Sequence, residues 1–416
     1  MAHAATDSRA AFRYRDFRYF MGYRMLSVFS SEMQAVAVAW QVYDLTHRPL
    51  DLGLVGLAQF LPGILLFLAA GHAADRIPRR RILQACVCGF SVVSILLLAF
   101  TLGHIQVVYP IYLALLLNGT ARAFSQPASQ ALLPTLVEET HFPNAVAWSS
   151  SSFRISSIVG PIAGGLLYTW SLNPAVVYVL ATVVYLITLV LVSRIAAKAV
   201  RQPRAAAGAP GSRLVLEGLR YIWSNKQILG AISLDLFAVL LGGAVALLPV
   251  YADAILKVGA TGLGMMRSAP GLGAMVTALL LAHRPLGRRE GAVMLWCVLG
   301  FGLFTIVFGL SRNLTLSMVA LAITGACDMV SVVVRSTMVQ LGTPDHMRGR
   351  VSAVNAVFIG ASNEVGQFES GITAQWFGTV PAVVLGGIGT VAVVAAWAWL
   401  FPELRGEREP AAVSAD

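Results

Sequence analysis

The stretch Gly71-His-Ala-Ala-Asp75-Arg76-Ile-Pro-Arg79-Arg80-Arg81 places five charged side chains between two long apolar runs. Arginine and aspartate are too costly to leave in hydrocarbon, so these residues must form a wet turn joining two membrane-spanning helices. Lipid is therefore the solvent against which the rest of the chain has to be read.

Composition agrees. Of 416 residues, 57% are hydrophobic and 12% charged, with a mean hydropathy of +0.73. A soluble domain of this length cannot bury that much apolar surface, which excludes soluble-enzyme readings. A net charge of +10 would point to nucleic acid in a soluble protein. Here the cations fall on one set of loops and report topology, so the expected partners are the lipid bilayer and a small-molecule substrate, with no nucleic acid. Cys86, Cys88, Cys297 and Cys327 all lie in apolar runs and read as packing residues, with no disulfide framework or metal site. No phosphate-binding G-x-x-x-x-G-K-[ST] loop occurs, which disfavours an ATP-driven pump. Arg9, Arg13, Arg15 and Arg18 precede the first apolar run as in a signal peptide. That run reaches about Tyr43 and contains Glu32 and Gln34, which predicts a retained helix.

Working outward from the loop, apolar runs near the roughly 20 residues needed to cross a bilayer occur at Tyr19–Tyr43, Leu52–Ala74, Ile82–Leu102, Val107–Gln126, Ala145–Trp170 and Ala175–Ser193. Six more follow near Lys226–Tyr251, Gly262–Ala282, Ala292–Leu310, Leu314–Gln340, Val351–Phe377 and Pro381–Phe401. The expected fold is an all-α membrane protein of 12 transmembrane helices. Residues 1–18 form a cytoplasmic segment whose Phe12, Phe17 and Phe20 suit a membrane surface. A six-helix bundle follows at 19–193, then a cytoplasmic linker at 194–225, a second six-helix bundle at 226–401 and a cytoplasmic tail at 402–416. Within the linker, Val215, Leu219, Ile222 and Trp223 recur at helical spacing opposite Arg213, Glu217 and Arg220, predicting an amphipathic helix. With the N-terminus inside, inner segments hold 22 lysines and arginines and outer loops only Arg48, Lys257 and Arg312, which places both termini in the cytoplasm.

The halves repeat. A shift of 208 lays Pro62-Gly63 on Pro270-Gly271 and Arg80-Arg81 on Arg288-Arg289; a shift of 206 lays Gly119 on Gly325, Gly160 on Gly366 and Gly165 on Gly371. Such a duplication implies two six-helix bundles with a site between them at mid-membrane.

The spacing Gly71-x-x-x-Asp75-Arg76-x-x-Arg79-Arg80 resembles the loop signature of the major facilitator superfamily, with Pro78 where most relatives carry glycine. Gly160-Pro161-Ile-Ala-Gly164-Gly165 resembles the G-P-x-x-G-G motif of that superfamily's antiporters, which tilts the direction toward export. Gln41-Val-Tyr-Asp-Leu-Thr46, Pro249-Val-Tyr251, Thr343 to Asn355 and Phe358 to Glu364 resemble the branch that contains the enterobactin exporter of enteric bacteria. The resemblance implies that Asp75 latches a cytoplasmic gate against the start of the eleventh span. In the repeat, His283 and Leu279 stand where Asp75 and Gly71 do, so only the first half keeps the full latch.

Glu32, Asp235, Asp328 and Glu364 lie deep in apolar runs. Facing lipid, each would cost roughly 2.5–3.5 kcal/mol on insertion scales, so they must face a wet cavity or a partner. A carboxylate passing between wet and dry settings takes up and releases protons, which makes these four the candidates for proton coupling. Asp328 and Arg335, seven residues apart, share a helical face but stand about 10 Å apart along it, and are expected to line the same cavity wall rather than to form a direct pair. Gln41, Arg122, Arg154, Arg335, Asn355, Asn363, Gln367 and Glu369 are candidate cavity residues, while Arg267, near a span end, is expected to snorkel. The expectation is a monomeric secondary efflux transporter of the bacterial inner membrane. It exchanges protons for a small amphipathic molecule such as a siderophore, drug or secondary metabolite, with the proton gradient as its energy source and no cofactor. The alternatives are a lipid or lysolipid transporter and a non-transporting membrane sensor of the same fold.

Overall fold

In hydrocarbon every backbone N–H and C=O must find a partner within the chain, and helices meet that demand segment by segment. The computed structural model describes residues 9–196, 211–283 and 290–405, without the side chains of 68, 75, 211–215, 345, 346 and 353. Among the described residues there is no strand. The first spans are α1 (Arg15–Thr46), α2 (Pro49–Leu65) continued by α3 (Phe67–Arg76), α4 (Arg79–Leu102), α5 (Tyr109–Leu132), α6 (Phe142–Ser171) and α7 (Pro174–Arg194). After α8 (Gly211–Ser224) comes α9 (Lys226–Leu241), carried on through the short α10 (Leu248–Val250) and a π turn at Tyr251–Ile255. Then follow α11 (Gly259–His283), α12 (Glu290–Leu310), α13 (Leu314–Gly342), α14 (Asp345–Phe377) and α15 (Thr379–Leu400). With α2 joined to α3 and α9 to α10, these are the twelve expected spans. Among the described residues, seven helices are long and apolar enough to cross a membrane by length and composition alone. The remainder include α1, α5, α6 and α14, which carry many of the polar candidates.

Local chemistry sets several helix starts. Asn173 accepts from the Ala175 N–H at 2.8 Å ahead of Pro174 at the head of α7. Asn225 accepts from Ile228 at 3.2 Å at the start of α9, and Asn313 from Thr315 and Leu316 at 2.9 and 3.2 Å at the start of α13. Each asparagine supplies an acceptor to amides that the helix leaves unpaired.

Packing divides the chain into two compact units: Met1–Gly208 with Leu248–Ser268, and Ala209–Leu247 with Ala269–Asp416. The sequence repeat cuts the chain elsewhere, at a linker whose residues 197–210 lie outside the described residues. The first unit is cored by Phe17, Phe20, Met33, Leu97, Tyr178 and Tyr185, with Val250 among them. The membrane-surface expectation for the N-terminal aromatics is corrected here, because Phe17 and Phe20 are fully buried. Phe12 meets Phe17 and Trp148 edge to face at 5.4 and 5.0 Å, and the Ala11 N–H donates to Asn144 at 3.1 Å. Their helical spacing marks a face turned onto protein.

In the second unit, α8 lies on α9 and α14. Ile222 is buried with Ile228, Val351 and Val354, Gly218 abuts the Arg350 backbone, and Tyr221 OH donates to Gly342 O at 2.7 Å. Arg350 pairs with Glu217 at 2.5 Å. Leu216 and Trp223 stay exposed, so Trp223 departs from the apolar face that its spacing predicts. A helix ending one residue before a span lies at headgroup level, where tryptophan is favoured.

The duplication recurs in the helix crossings. Gly119 of α5 abuts the Gln59 backbone of α2, and its counterpart Gly325 of α13 abuts the Pro270 backbone of α11. Gly160 of α6 meets α1 at Phe29 and Glu32, and its counterpart Gly366 of α14 meets α9 at Val239 and Leu240. A Cβ at these positions would overlap the opposing atoms, so equivalent crossings require equivalent glycines.

Candidate functional site

Asp235 stands in the middle of α9 and is only 4% exposed. Its Oδ2 pairs with Arg335 Nη1, and its Oδ1 accepts from Ser331 Oγ at 2.8 Å. Ser331 and Arg335 are four residues apart on α13 and so share a face. Asp328, one turn before Ser331, joins Asp235, Ser331, Val298, Phe301 and Cys327 around a small cleft with room for about one water molecule. Asp328 lines that cleft beside Ser331, and Arg335 of the same helix meets Asp235. The partner of Arg335 comes from α9, and Arg335 Nε is buried without a hydrogen-bond partner.

A different ion pair lies in the first unit. Arg267 Nε of α11 is 3.7 Å from Glu32 Oε2 of α1, with the side chains 26% and 31% exposed. This corrects the snorkelling expectation: an acid within reach at span depth neutralises the cation more effectively than a distant headgroup layer. The pair rests on the Gly160-Pro161 helix. Beyond the Gly160 contact, Gly164 abuts the Met33 backbone, and Gly165 abuts Ala260 and Gly264 of α11. Ser268 Oγ donates to Ile158 O at 2.6 Å, just before the proline that interrupts the backbone ladder of α6. The motif therefore lets α6 pack against both α1 and α11 at backbone distance.

The other candidates are dispersed. Gln41 is engaged within the first unit, donating to Thr101 Oγ1 at 3.0 Å and accepting from Tyr178 OH at 2.7 Å, so its amide ties α1 to α4 and α7. On α14, Gln367 donates to Glu364 at 3.1 Å, Thr373 to Glu369 at 2.7 Å, and Asn363 to Ile359 O at 2.8 Å. Asn355 Oδ1 is buried without a hydrogen-bond partner. Arg122 is exposed and Arg154 half-buried. In the loop motif, Gly71 and Arg76 are exposed, and the Asp75 side chain lies outside the described residues. Arg79 donates to Ala131 O at 2.9 Å near the end of α5, and Arg80 donates to Ser193 O near the end of α7. Both arginines therefore satisfy terminal carbonyls and complement the negative ends of helix dipoles.

Sequence reasoning missed Arg24 of α1, which donates to Ser149 O at 3.3 Å and lies 5.9 Å from the Phe153 ring centroid. Its signal was a cation inside the first apolar run, easily merged with the basic segment before it. Ser331 was missed too, since a serine in a span ordinarily bonds its own helix.

Two helical units with arginine–carboxylate pairs held inside apolar spans define a polytopic membrane protein. The chain belongs to the transmembrane secretion effector family of the major facilitator superfamily, whose pattern matches residues 6–413. It is 29% identical over 374 residues to the enterobactin exporter EntS of Shigella boydii serotype 4 (strain Sb227), covering 88% of this chain and 84% of that protein. The enterobactin exporter EntS of Escherichia coli O1:K1 / APEC matches to the same extent, 29% over 374 residues, with the same 88% and 84% covered. Among solved structures, a bacterial homolog of the human lysosomal transporter Spinster superposes with a TM-score of 0.73 at 13% identity, covering 96% and 99% of the two chains. A D-xylose–proton symporter superposes with a TM-score of 0.70 at 13% identity, covering 95% and 100%.

Proposed function

We propose that this chain is a proton-coupled exporter: protons moving down their gradient drive a small amphipathic organic molecule outward by alternating access. The cargo class is that of a siderophore, drug or secondary metabolite, a reading supported by the name carried by the relatives. The protein works as a monomer in a bacterial cytoplasmic membrane, with both termini inside and no cofactor beyond the gradient.

The observation that carries the coupling is Asp235, a carboxylate buried within a span, which shares a water-sized cleft with Asp328 and pairs with Arg335. In this reading the transport cycle parts Asp235 from Arg335 and opens the carboxylate to the cleft. Asp328 then relays between the cleft and Asp235. The test begins by identifying the cargo from the small molecules released by a deletion strain and its parent. Uptake of that cargo into inverted vesicles is then measured with and without a pH gradient. Asp235→Asn, Asp328→Asn and Glu364→Gln are expected to lose the acceleration by the gradient while retaining downhill movement. Intact coupling in all three variants would remove the reading.

A further inference from the structure

Glu32 does not use up the donors of Arg267. Their contact is a single one through Nε at 3.7 Å, longer than a hydrogen bond, and among the described residues no hydrogen bond occupies the two Nη groups. The contrast with Arg335 is sharp, since that side chain is 3% exposed and paired to a carboxylate that also accepts from Ser331. Arg267 and Glu32 are each a quarter to a third open. Hydrocarbon satisfies neither a guanidinium nor a carboxylate, so the open part of this pair must meet water or a polar ligand.

The backbone beneath the pair is fixed. Gly165 and Gly264 bring α6 and α11 into direct contact, and Ser268, the residue after Arg267, anchors α11 to the carbonyl of Ile158. A recognition group has to be held by such a support to select its ligand. A guanidinium offers a planar fork of donors that matches carboxylates, phenolates and phosphates.

We propose that Arg267 recognises an anionic group on the transported molecule, and that Glu32 is the internal stand-in occupying the guanidinium when the molecule is absent. The cargo class is thereby narrowed to organic anions, an inference that rests on the export reading above. Glu32 and the anion compete for one cation, so the empty carrier does not leave a bare charge within the membrane.

The full-length protein in proteoliposomes tests this, with carboxyfluorescein and dihydroxybenzoate as anionic probes and ethidium as the cationic one. Arg267→Gln is expected to lower anion uptake about tenfold, the scale of one charge-assisted hydrogen bond, while ethidium uptake stays within about twofold. Arg267→Lys keeps the charge without the fork and restores only part of the anion uptake. Glu32→Gln releases the guanidinium and lowers KM for both anions, a gain that misfolding cannot produce. The proposal is overturned by a wild-type protein that takes up neither anion, and equally by an Arg267→Gln variant that slows anions and ethidium alike. Anions that require Arg267 yet move without response to a pH gradient would defeat the antiport reading and leave this one standing.

Discussion

The two arginine–carboxylate pairs differ in what surrounds them. Asp235 and Arg335 are almost fully buried, so removing one partner strands the other as an uncompensated charge at a cost of about 3–5 kcal/mol. Asp235→Asn and Arg335→Gln should each lower the melting temperature in detergent markedly. The double variant should lose much less than the sum, which a double-mutant cycle on thermal unfolding will measure. A double variant that keeps its fold without the acid would also separate loss of proton coupling from loss of structure. The embedded acids were legible in the sequence because a charged residue inside an apolar run has few places to go. Their partners were not. Arg335 pairs with a residue 100 positions away, and Arg267 stands near a span end, where snorkelling and ion pairing look alike until α1, α6 and α11 are seen to cross. Gln41 lies in a segment that the family resemblance had marked, and only coordinates reveal that both ends of its amide are engaged by Thr101 and Tyr178.

Among the elements, the loop motif gains a local meaning that its sequence did not carry. Arg79 and Arg80 each hold the C-terminal end of a different helix, so Arg80→Gln should loosen the last turn of α7 by about 0.3–1 kcal/mol. Faster amide exchange at residues 190–196, with α5 unchanged, is the expected signature. The α6 motif predicts a different failure. Gly165→Leu places a side chain where the Ala260 and Gly264 backbones already lie, so transport and thermal stability should fall together. Serine at the same site should be the milder change. For α8, the half-exposed Glu217–Arg350 pair contributes at most about 1 kcal/mol. Glu217→Gln should therefore raise amide exchange within α8 modestly and leave α9 protected. The amphipathic period of α8 was legible, but which apolar residues face protein and which face the interface was not, since Leu216 and Trp223 differ from Leu219 and Ile222 only in where α9 and α14 happen to lie.

At the scale of the molecule, hydropathy was enough to give twelve spans, and the asymmetry of positive charge predicts an orientation. The orientation predicts that, in a cysteine-free background, a cysteine at Lys257 reacts with a membrane-impermeant maleimide in whole cells, while one at Arg405 reacts only after permeabilisation. The division into packing units was not legible, because hydropathy counts spans without recording which neighbours they choose. That division has a consequence for biosynthesis. The first unit is finished only when Leu248–Ser268 joins it, and that segment leaves the ribosome after α8 and α9 have been made. Six inserted helices would therefore wait in the membrane, with the Gly165 side of α6 uncovered, until translation has passed residue 268. A nascent chain arrested at residue 208 should be a target for membrane proteases, and one arrested after residue 268 should resist them.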